Sequence, residues 1–129
     1  MPSRLARVAG FTAAVCAAAA AAAQAAPALQ GGRYDAQLCV ATRPDAAPTC
    51  GAAEVQVAGP RLSVRVADIV YRLALRSGEL DVATMHGSMQ IDEFSAAYDW
   101  AGDTLRFNDA AKNVLYEVRL GARRSAPQR

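Results

Sequence analysis

The chain is poor in the side chains that most often carry out enzyme chemistry. Its 129 residues include one histidine, one tryptophan and three cysteines. A serine nucleophile needs a histidine base beside it, and no nucleophile-elbow sequence accompanies His86. Asp92 and Glu93 are neighbours, so on a strand they point to opposite faces, whereas a cooperating carboxylate pair needs both on one side. We therefore expect no enzyme activity and assign no catalytic residue and no cofactor.

The first 25 residues have the layout of a secretory signal peptide. Arg4 and Arg7 precede an uncharged stretch from Val8 to Ala23, and the small-residue pattern Ala23–Ala25 follows. The stretch is rich in alanine, which contributes little to membrane insertion compared with leucine or phenylalanine. We therefore predict a cleaved signal peptide at 1–25 rather than a retained membrane anchor, and no stable membrane insertion after cleavage.

Lipoprotein processing at Cys16 is another possible use of this segment. Val15 disfavours it, because a small residue is expected at that position. Cleavage after Ala25 leaves residues 26–129, a length that suits one domain with a modest core and is too short for two.

Neither sign of charge dominates the chain after cleavage. Removing Arg4 and Arg7 lowers the basic count from 14 to 12, which equals the count of 12 acidic residues. A near-neutral protein has no net attraction for nucleic acid or for an anionic membrane surface. We therefore expect no nucleic acid partner.

Two cysteines remain after cleavage, Cys39 and Cys50, around the loop "CVATRPDAAPTC". In an oxidising compartment such a pair most simply forms a disulfide. A metal site is the rival interpretation, but no second cysteine pair or nearby histidine would complete one. We predict a disulfide between Cys39 and Cys50 and a periplasmic or secreted location.

The rest of the chain alternates apolar and polar residues with period two from Arg33 to Leu120, without convincing helical periodicity. This pattern predicts an all-β domain that is an antiparallel meander of about eight strands. The expected strands are 33–41, 53–58, 61–67, 69–76, 79–86, 89–100, 103–107 and 113–120.

Folding the chain about its turns places apolar residues opposite apolar ones and opposite charges together on the other face. The predicted partners are Val57 with Leu62, Val55 with Val64 and Glu54 with Arg65; Leu75 with Leu80, Leu73 with Val82 and Arg76 with Glu79; and Trp100 with Leu105, Tyr98 with Phe107 and Asp99 with Arg106. A fourth connection, "NDAAKN", sets Phe107 and Leu105 against Val114 and Tyr116.

The parity of the inward-facing positions changes at two places. Between the third and fourth strands it switches from even to odd positions, which predicts a bend, bulge or tight turn at Ala67–Asp68. In the sixth run it switches between Ile91 and Phe94, which predicts a kink at 95–97. Bent strands let a sheet curl.

A sheet of this size with one apolar face must close as a barrel or fold over as a sandwich, because an open meander would leave that face wet. We favour a small barrel, with the sandwich as the alternative. The domain boundaries that follow are a flexible segment at 26–32, a β domain at 33–120 and a disordered tail at 121–129.

The stretch "TMHGSMQ" places His86 between Met85 and Met89. Copper(I) favours thioether and imidazole ligands. The set resembles that of small periplasmic copper chaperones, which use two methionines, a histidine and a capping tryptophan, here Trp100, on a five-stranded barrel. If Gly87–Ser88 is a two-residue turn, the two methionines point to opposite faces, and only a three-residue loop puts them on one face. We favour an ordinary hairpin and keep Met85, His86 and Met89 as weak candidate metal ligands.

The aromatic residues of the second half are predicted to fill the core. They are Tyr71, Phe94, Tyr98, Trp100, Phe107 and Tyr116. If the barrel leaves its mouth open, Tyr98 and Trp100 near a turn would line a small apolar pocket.

A secretion signal, one disulfide and a small meander are similar to the general plan of the periplasmic inhibitors of C-type lysozyme. The similarity is architectural, and no residue of that family is carried over to this chain. We predict an exported, monomeric, non-catalytic binding or accessory protein whose partner is a protein or a small-molecule ligand. The alternative is a copper(I) or other soft-metal handling protein that uses Met85, His86 and Met89.

Overall fold

The computed structural model describes residues 29–43 and 45–125, and within them every regular element is a β-strand. The predicted signal peptide at 1–25 lies outside these residues. The strands are β1 (Gly32–Ala41), β2 (Thr49–Ala58), β3 (Arg61–Val66), β4 (Ile69–Leu75), β5 (Glu79–His86), β6 (Met89–Ala101), β7 (Thr104–Asp109) and β8 (Val114–Ser125). None of the described residues forms a helix long and apolar enough to cross a membrane.

The eight strands form a closed antiparallel barrel. Each strand pairs with the next along the chain, and β8 pairs with β1, so no strand is left at an edge of the topology. The predicted meander and its closure as a barrel are confirmed, and the sandwich alternative is not the fold.

The hairpin registers follow from matching apolar faces and are as predicted. Val57 lies opposite Leu62, Leu73 opposite Val82 and Trp100 opposite Leu105, and the other predicted pairs across these three turns agree as well. The parity switch between β3 and β4 is a tight turn, in which Ala67 takes a positive φ of 53°. A non-glycine residue rarely adopts this conformation. Here it is imposed by the two-residue connection between the paired strands β3 and β4.

Inward-facing apolar side chains fill the barrel. Those that are almost inaccessible, at 0–2% relative exposure, are Val55, Val57, Leu62, Val64, Leu73, Leu80, Val82, Leu105 and Val118. Removing such branched chains from water is the main stabilisation of a barrel this small. The predicted disulfide is present, and it joins Cys39 and Cys50 directly across the β1–β2 pair.

The predicted kink at 95–97 is wrong, because the irregularity lies at Ile91. Thr84 pairs with Asp92 and Met85 with Gln90, so β6 carries one extra residue between these pairs. This bulge alone accounts for the change from odd-numbered to even-numbered inward positions along β6. Ile91 is accordingly 52% exposed instead of facing the core.

Two expectations about β8 also need correction. Phe107 lies opposite Tyr116 and Leu105 opposite Val118, so the β7–β8 pairing is displaced by two residues from the predicted one. The strand then continues to Ser125, paired with β1, so 121–125 is not a disordered tail. Closure of the barrel requires β8 to pair with β1 along the length of β1, and the last residues of β8 pair with the first residues of β1.

Candidate functional site

The barrel wall is incompletely closed between β6 and β7. β6 pairs with β5 along Met89–Ala97 but with β7 only along Tyr98–Ala101. β7 pairs with β8 along its whole length, Thr104–Asp109. Among the described strands, Met89–Ala97 therefore has no partner on the β7 side. We call the gap between Met89–Ala97 and Asn108–Asp109 the side opening.

The backbone of β6 presents hydrogen-bonding groups to the side opening. The N–H of Tyr98 donates to the carbonyl oxygen of Gly78 at 3.4 Å, on the β5 side. N–H and C=O groups alternate between the two sides of a strand. The backbone groups of the residue just before Tyr98, and of every second residue before that one, therefore face the β7 side. The residues whose N–H groups point towards the opening are Glu93, Ser95 and Ala97, and the N–H of Glu93 already donates to the carboxylate of Asp92.

Four aromatic rings pack together behind the side opening. The rings of Phe107 and Tyr116 stack with centroids 5.1 Å apart, and Phe94 stacks on Tyr116 at 6.0 Å. The ring centroids of Tyr71 and Tyr116 are 5.9 Å apart. Phe107 is buried, but Phe94, Tyr71 and Tyr116 are half-buried and keep part of their apolar surface accessible. A ligand that covered these rings would gain hydrophobic contact.

An ion pair crosses one end of the side opening. The ammonium of Lys112, in the β7–β8 turn, lies 2.7 Å from the carboxylate of Asp92 on β6. The hydrogen bond from Lys112 and the backbone N–H of Glu93 lower the pKa of Asp92. Asp109, only 2% exposed, accepts the backbone N–H of Lys112 at 3.4 Å. The turn is thus held against β6 by one residue, Lys112.

Burial and neighbouring charge disfavour ionisation of the phenol at the centre of the cluster. Burial, together with Tyr71, Asp109 and Asp92, raises the pKa of Tyr116 to about 12. Burial also raises the pKa of Tyr71. Both hydroxyls are therefore neutral hydrogen-bond donors at physiological pH.

Exposed apolar side chains border the opening. Among the described residues, the large hydrophobic side chains that are exposed are Met89 (65%), Ile91 (52%) and Leu115 (37%). Met89 and Ile91 lie on the unpaired part of β6, and Leu115 is the β8 partner of Asn108. Exposed apolar chains that border a half-open aromatic cluster are typical of an interaction surface.

The weak candidate metal ligands do not converge. Gly87 and Ser88 form a two-residue turn, because His86 pairs with Met89 and Met85 with Gln90. Met85 is buried at 9% exposure and points to the opposite side of the strand from His86. The tip therefore brings together His86 and Met89 only. No group of three or more histidine, cysteine or acidic side chains able to hold a metal occurs within 29–43 and 45–125.

The tryptophan is also too far away to cap a metal at that tip. It lies at the other end of β6, roughly 35 Å along the strand from Met89 at the usual rise per strand residue. Trp100 is 5% exposed and belongs to the core, and its Nε1 has no hydrogen-bond acceptor among the described residues. Tyr98, the other residue of the predicted pocket, donates its hydroxyl hydrogen bond to the carbonyl oxygen of Arg76 at 2.8 Å.

Sequence reasoning missed the polar residues of the side opening. Asp109 continues the inward parity of Leu105 and Phe107, and Asp92 continues that of Phe94. This parity is the signal that could have identified them. Glu93, the other carboxylate of the pair, is exposed on the outer face.

Comparison with protein-family models, curated proteins and solved structures finds no match to this chain. The side opening therefore has to be interpreted from its own geometry.

Proposed function

We propose that this chain is an exported, non-catalytic binding protein that holds an extended polypeptide segment of a protein partner at the side opening. The observation that carries the proposal is the unpaired stretch Met89–Ala97 of β6. An exposed strand edge is a template for one more strand, and several peptide-binding domains use this mode of recognition.

A strand added at this edge would gain two kinds of interaction. Its backbone would pair with free backbone groups of Ser95 and Ala97, which supply affinity without regard to sequence. Its inward-pointing side chains would meet the half-buried rings of Phe94 and Tyr116, which favour apolar or aromatic residues at alternate positions. The ion pair of Lys112 with Asp92 would limit the segment at one end.

Binding accounts for the polar groups better than catalysis does. The carboxylate of Asp92 is committed to Lys112, and that of Asp109 to a backbone N–H. Each of them fixes the shape of the opening. Export is supported by the signal-like N terminus and by the disulfide, since such bonds persist in oxidising compartments.

Peptides selected from a random library on the purified protein test the proposal. A selected peptide should bind Ala97→Pro about fivefold or more weakly than the unchanged protein, because proline removes one N–H from the edge. Ala97→Ser is the matched control, since it keeps the N–H and should bind as the unchanged protein does. Ala97 is exposed, so both variants should unfold at similar temperatures. Equal binding by the proline and serine variants, with both folded, would contradict the proposal.

A further inference from the structure

The outer face of β2–β4 carries a cluster of arginines around one serine, on strands that do not border the side opening. On β3, Arg61 and Arg65 stand two residues either side of Ser63, so all three point outward. Arg72 of β4 lies directly opposite Ser63, and Gln56 of β2 lies opposite it on the other side. Three arginines and one glutamine thus occupy the outward positions next to Ser63.

These arginines have no ion-pair partner, in contrast to five other basic residues of the described chain. Within the described part of the chain, the ion pairs involve Arg76, Arg106, Lys112, Arg119 and Arg124. Arg61, Arg65 and Arg72 have no carboxylate within 4.0 Å in that same part of the chain. Four carboxylates line the two grooves that meet at Ser63: Glu54 and Asp68 in the groove of Arg65, and Asp81 and Glu93 in the groove of Arg61. Asp81 is paired with Arg76, so Arg61, Arg65 and Arg72 keep unpaired guanidinium donors in a surface of mixed charge.

The surface around this cluster is concave. One groove, of about 830 Å³, is lined by residues that include Gln56, Arg65 and Arg72. A second groove, of about 720 Å³, includes Arg61 and Arg72. Both grooves contain Ser63, so the serine lies where they meet. Their sizes are within the range of small-molecule sites in proteins.

We propose that the cluster formed by Gln56, Arg61, Ser63, Arg65 and Arg72 binds the phosphate group of a phosphate-bearing ligand. Guanidinium forks match the spacing of phosphate oxygens and bind them with paired, charge-assisted hydrogen bonds. The hydroxyl of Ser63 and the amide of Gln56 supply neutral donors at the centre. The phosphate belongs either to a lipid headgroup or to a soluble phosphate compound, because the same donors recognise both.

The test uses two probes and two double variants of the full chain. The probes are inorganic pyrophosphate, followed by calorimetry, and equimolar phosphatidylcholine–phosphatidylglycerol vesicles, followed by sedimentation against phosphatidylcholine alone. The test variant is Arg65→Gln with Arg72→Gln. The control variant is Arg106→Gln with Arg119→Gln, which makes the same change of net charge at exposed positions on β7 and β8.

We expect the unchanged protein to bind at least one probe. The test variant should bind that probe at least about tenfold more weakly, because each lost charge-assisted hydrogen bond contributes more than a neutral one. The control variant should keep its affinity within about twofold, as expected if only exposed ion pairs are lost. Binding of pyrophosphate would identify a soluble phosphate ligand, and binding of the vesicles alone would identify a headgroup.

Two results would overturn the proposal. One is that the unchanged protein binds neither probe. The other is that the test and control variants lose affinity equally, since binding would then follow net charge and not the cluster at Ser63. Both variants change exposed side chains, and matching thermal unfolding shows that the barrel is intact in each.

Discussion

Gly121 marks the closest approach between the backbones of β8 and β1. A Cβ built on Gly121 would lie 2.9 Å from the carbonyl oxygen of Asp35, whereas one built on Gly51 of β2 would meet nothing within 4 Å. The site lies where the β1–β8 register shifts, between the pairs of Tyr34 and Ala36. Glycine is therefore needed at position 121 for space and is not needed at position 51.

The first prediction compares alanine at these two glycines. Gly121→Ala should lower the free energy of unfolding by about 1 kcal/mol or more, because the strand backbones have to separate. Gly51→Ala should leave it unchanged or raise it by about 0.5 kcal/mol, because alanine loses less backbone entropy in a strand. Denaturant unfolding measures both values. A loss of stability at Gly51→Ala as large as that at Gly121→Ala would contradict the register of the closing pair.

The second prediction concerns alkaline pH and Tyr116. An unfolded tyrosine ionises near pH 10, whereas Tyr116 in the barrel has a pKa of about 12. Its contribution to stability is therefore complete below about pH 10 and is lost as the pH rises towards about 12. Tyr116→Phe cannot ionise and should show a shallower fall in stability over this range. Unfolding free energies measured across it, with absorbance to follow tyrosinate, test this, and identical slopes for the two proteins would refute it.

At the scale of elements, the disulfide constrains the longest connection of the barrel. Cys39 and Cys50 are directly opposite on β1 and β2, and they enclose the loop between those strands. The other hairpins have shorter turns and depend less on a covalent constraint. The β1–β2 pair should therefore be the one most affected by reduction.

The third prediction is that Cys39→Ser with Cys50→Ser lowers the free energy of unfolding by about 3 kcal/mol, the chain entropy released by opening a loop of this length. Reductant should lower the melting temperature of the unchanged protein to a similar degree and leave that of the double variant unchanged. A reductant-insensitive melting temperature in the unchanged protein would show that the bridge contributes nothing.

The elements that could be predicted from the sequence are those fixed by local matching. The hairpins of Gly59, Ser77–Gly78 and Gly102 were predictable because a one-residue slip in any of them would turn a whole apolar face to water. The bulge at Ile91 was not, because an apolar residue after a turn suggests an inward position. Gly121–Ser125 was also missed, since its pairing depends on closure of the barrel and not on its own polar sequence.

The candidate site was harder to predict than the fold for the same reason. The side opening arises where β6, already paired to β5 and bent by a bulge, diverges from β7. No short stretch of sequence encodes that divergence. Asp92 and Lys112 are twenty positions apart in sequence, so their contact follows only from the three-dimensional arrangement.

At the scale of the whole molecule, the barrel separates two surfaces of different chemistry. The side opening, on β6–β8, combines aromatic rings, a strand edge and exposed apolar side chains. The arginine cluster around Ser63 lies on β2–β4 and is polar, with arginines that have no ion-pair partner among the described residues. β5 on one side and β1 on the other lie between the two regions, and the groove that contains Arg61 and Arg72 extends across β5 to Glu93 and Ser95 of β6.

Residue-resolved amide hydrogen exchange tests directly whether β6 has a free edge along Met89–Ala97. With a free edge, the exchange rates of successive amides should alternate between slow and fast along this strand. The amides of Phe94, Ala96 and Tyr98, which point to β5, should exchange slowly. Those of Ser95 and Ala97, which point to the opening, should exchange quickly, and should slow when a selected peptide is added. Uniformly slow exchange along β6 in the free protein would mean that the wall is closed there, and would contradict the account.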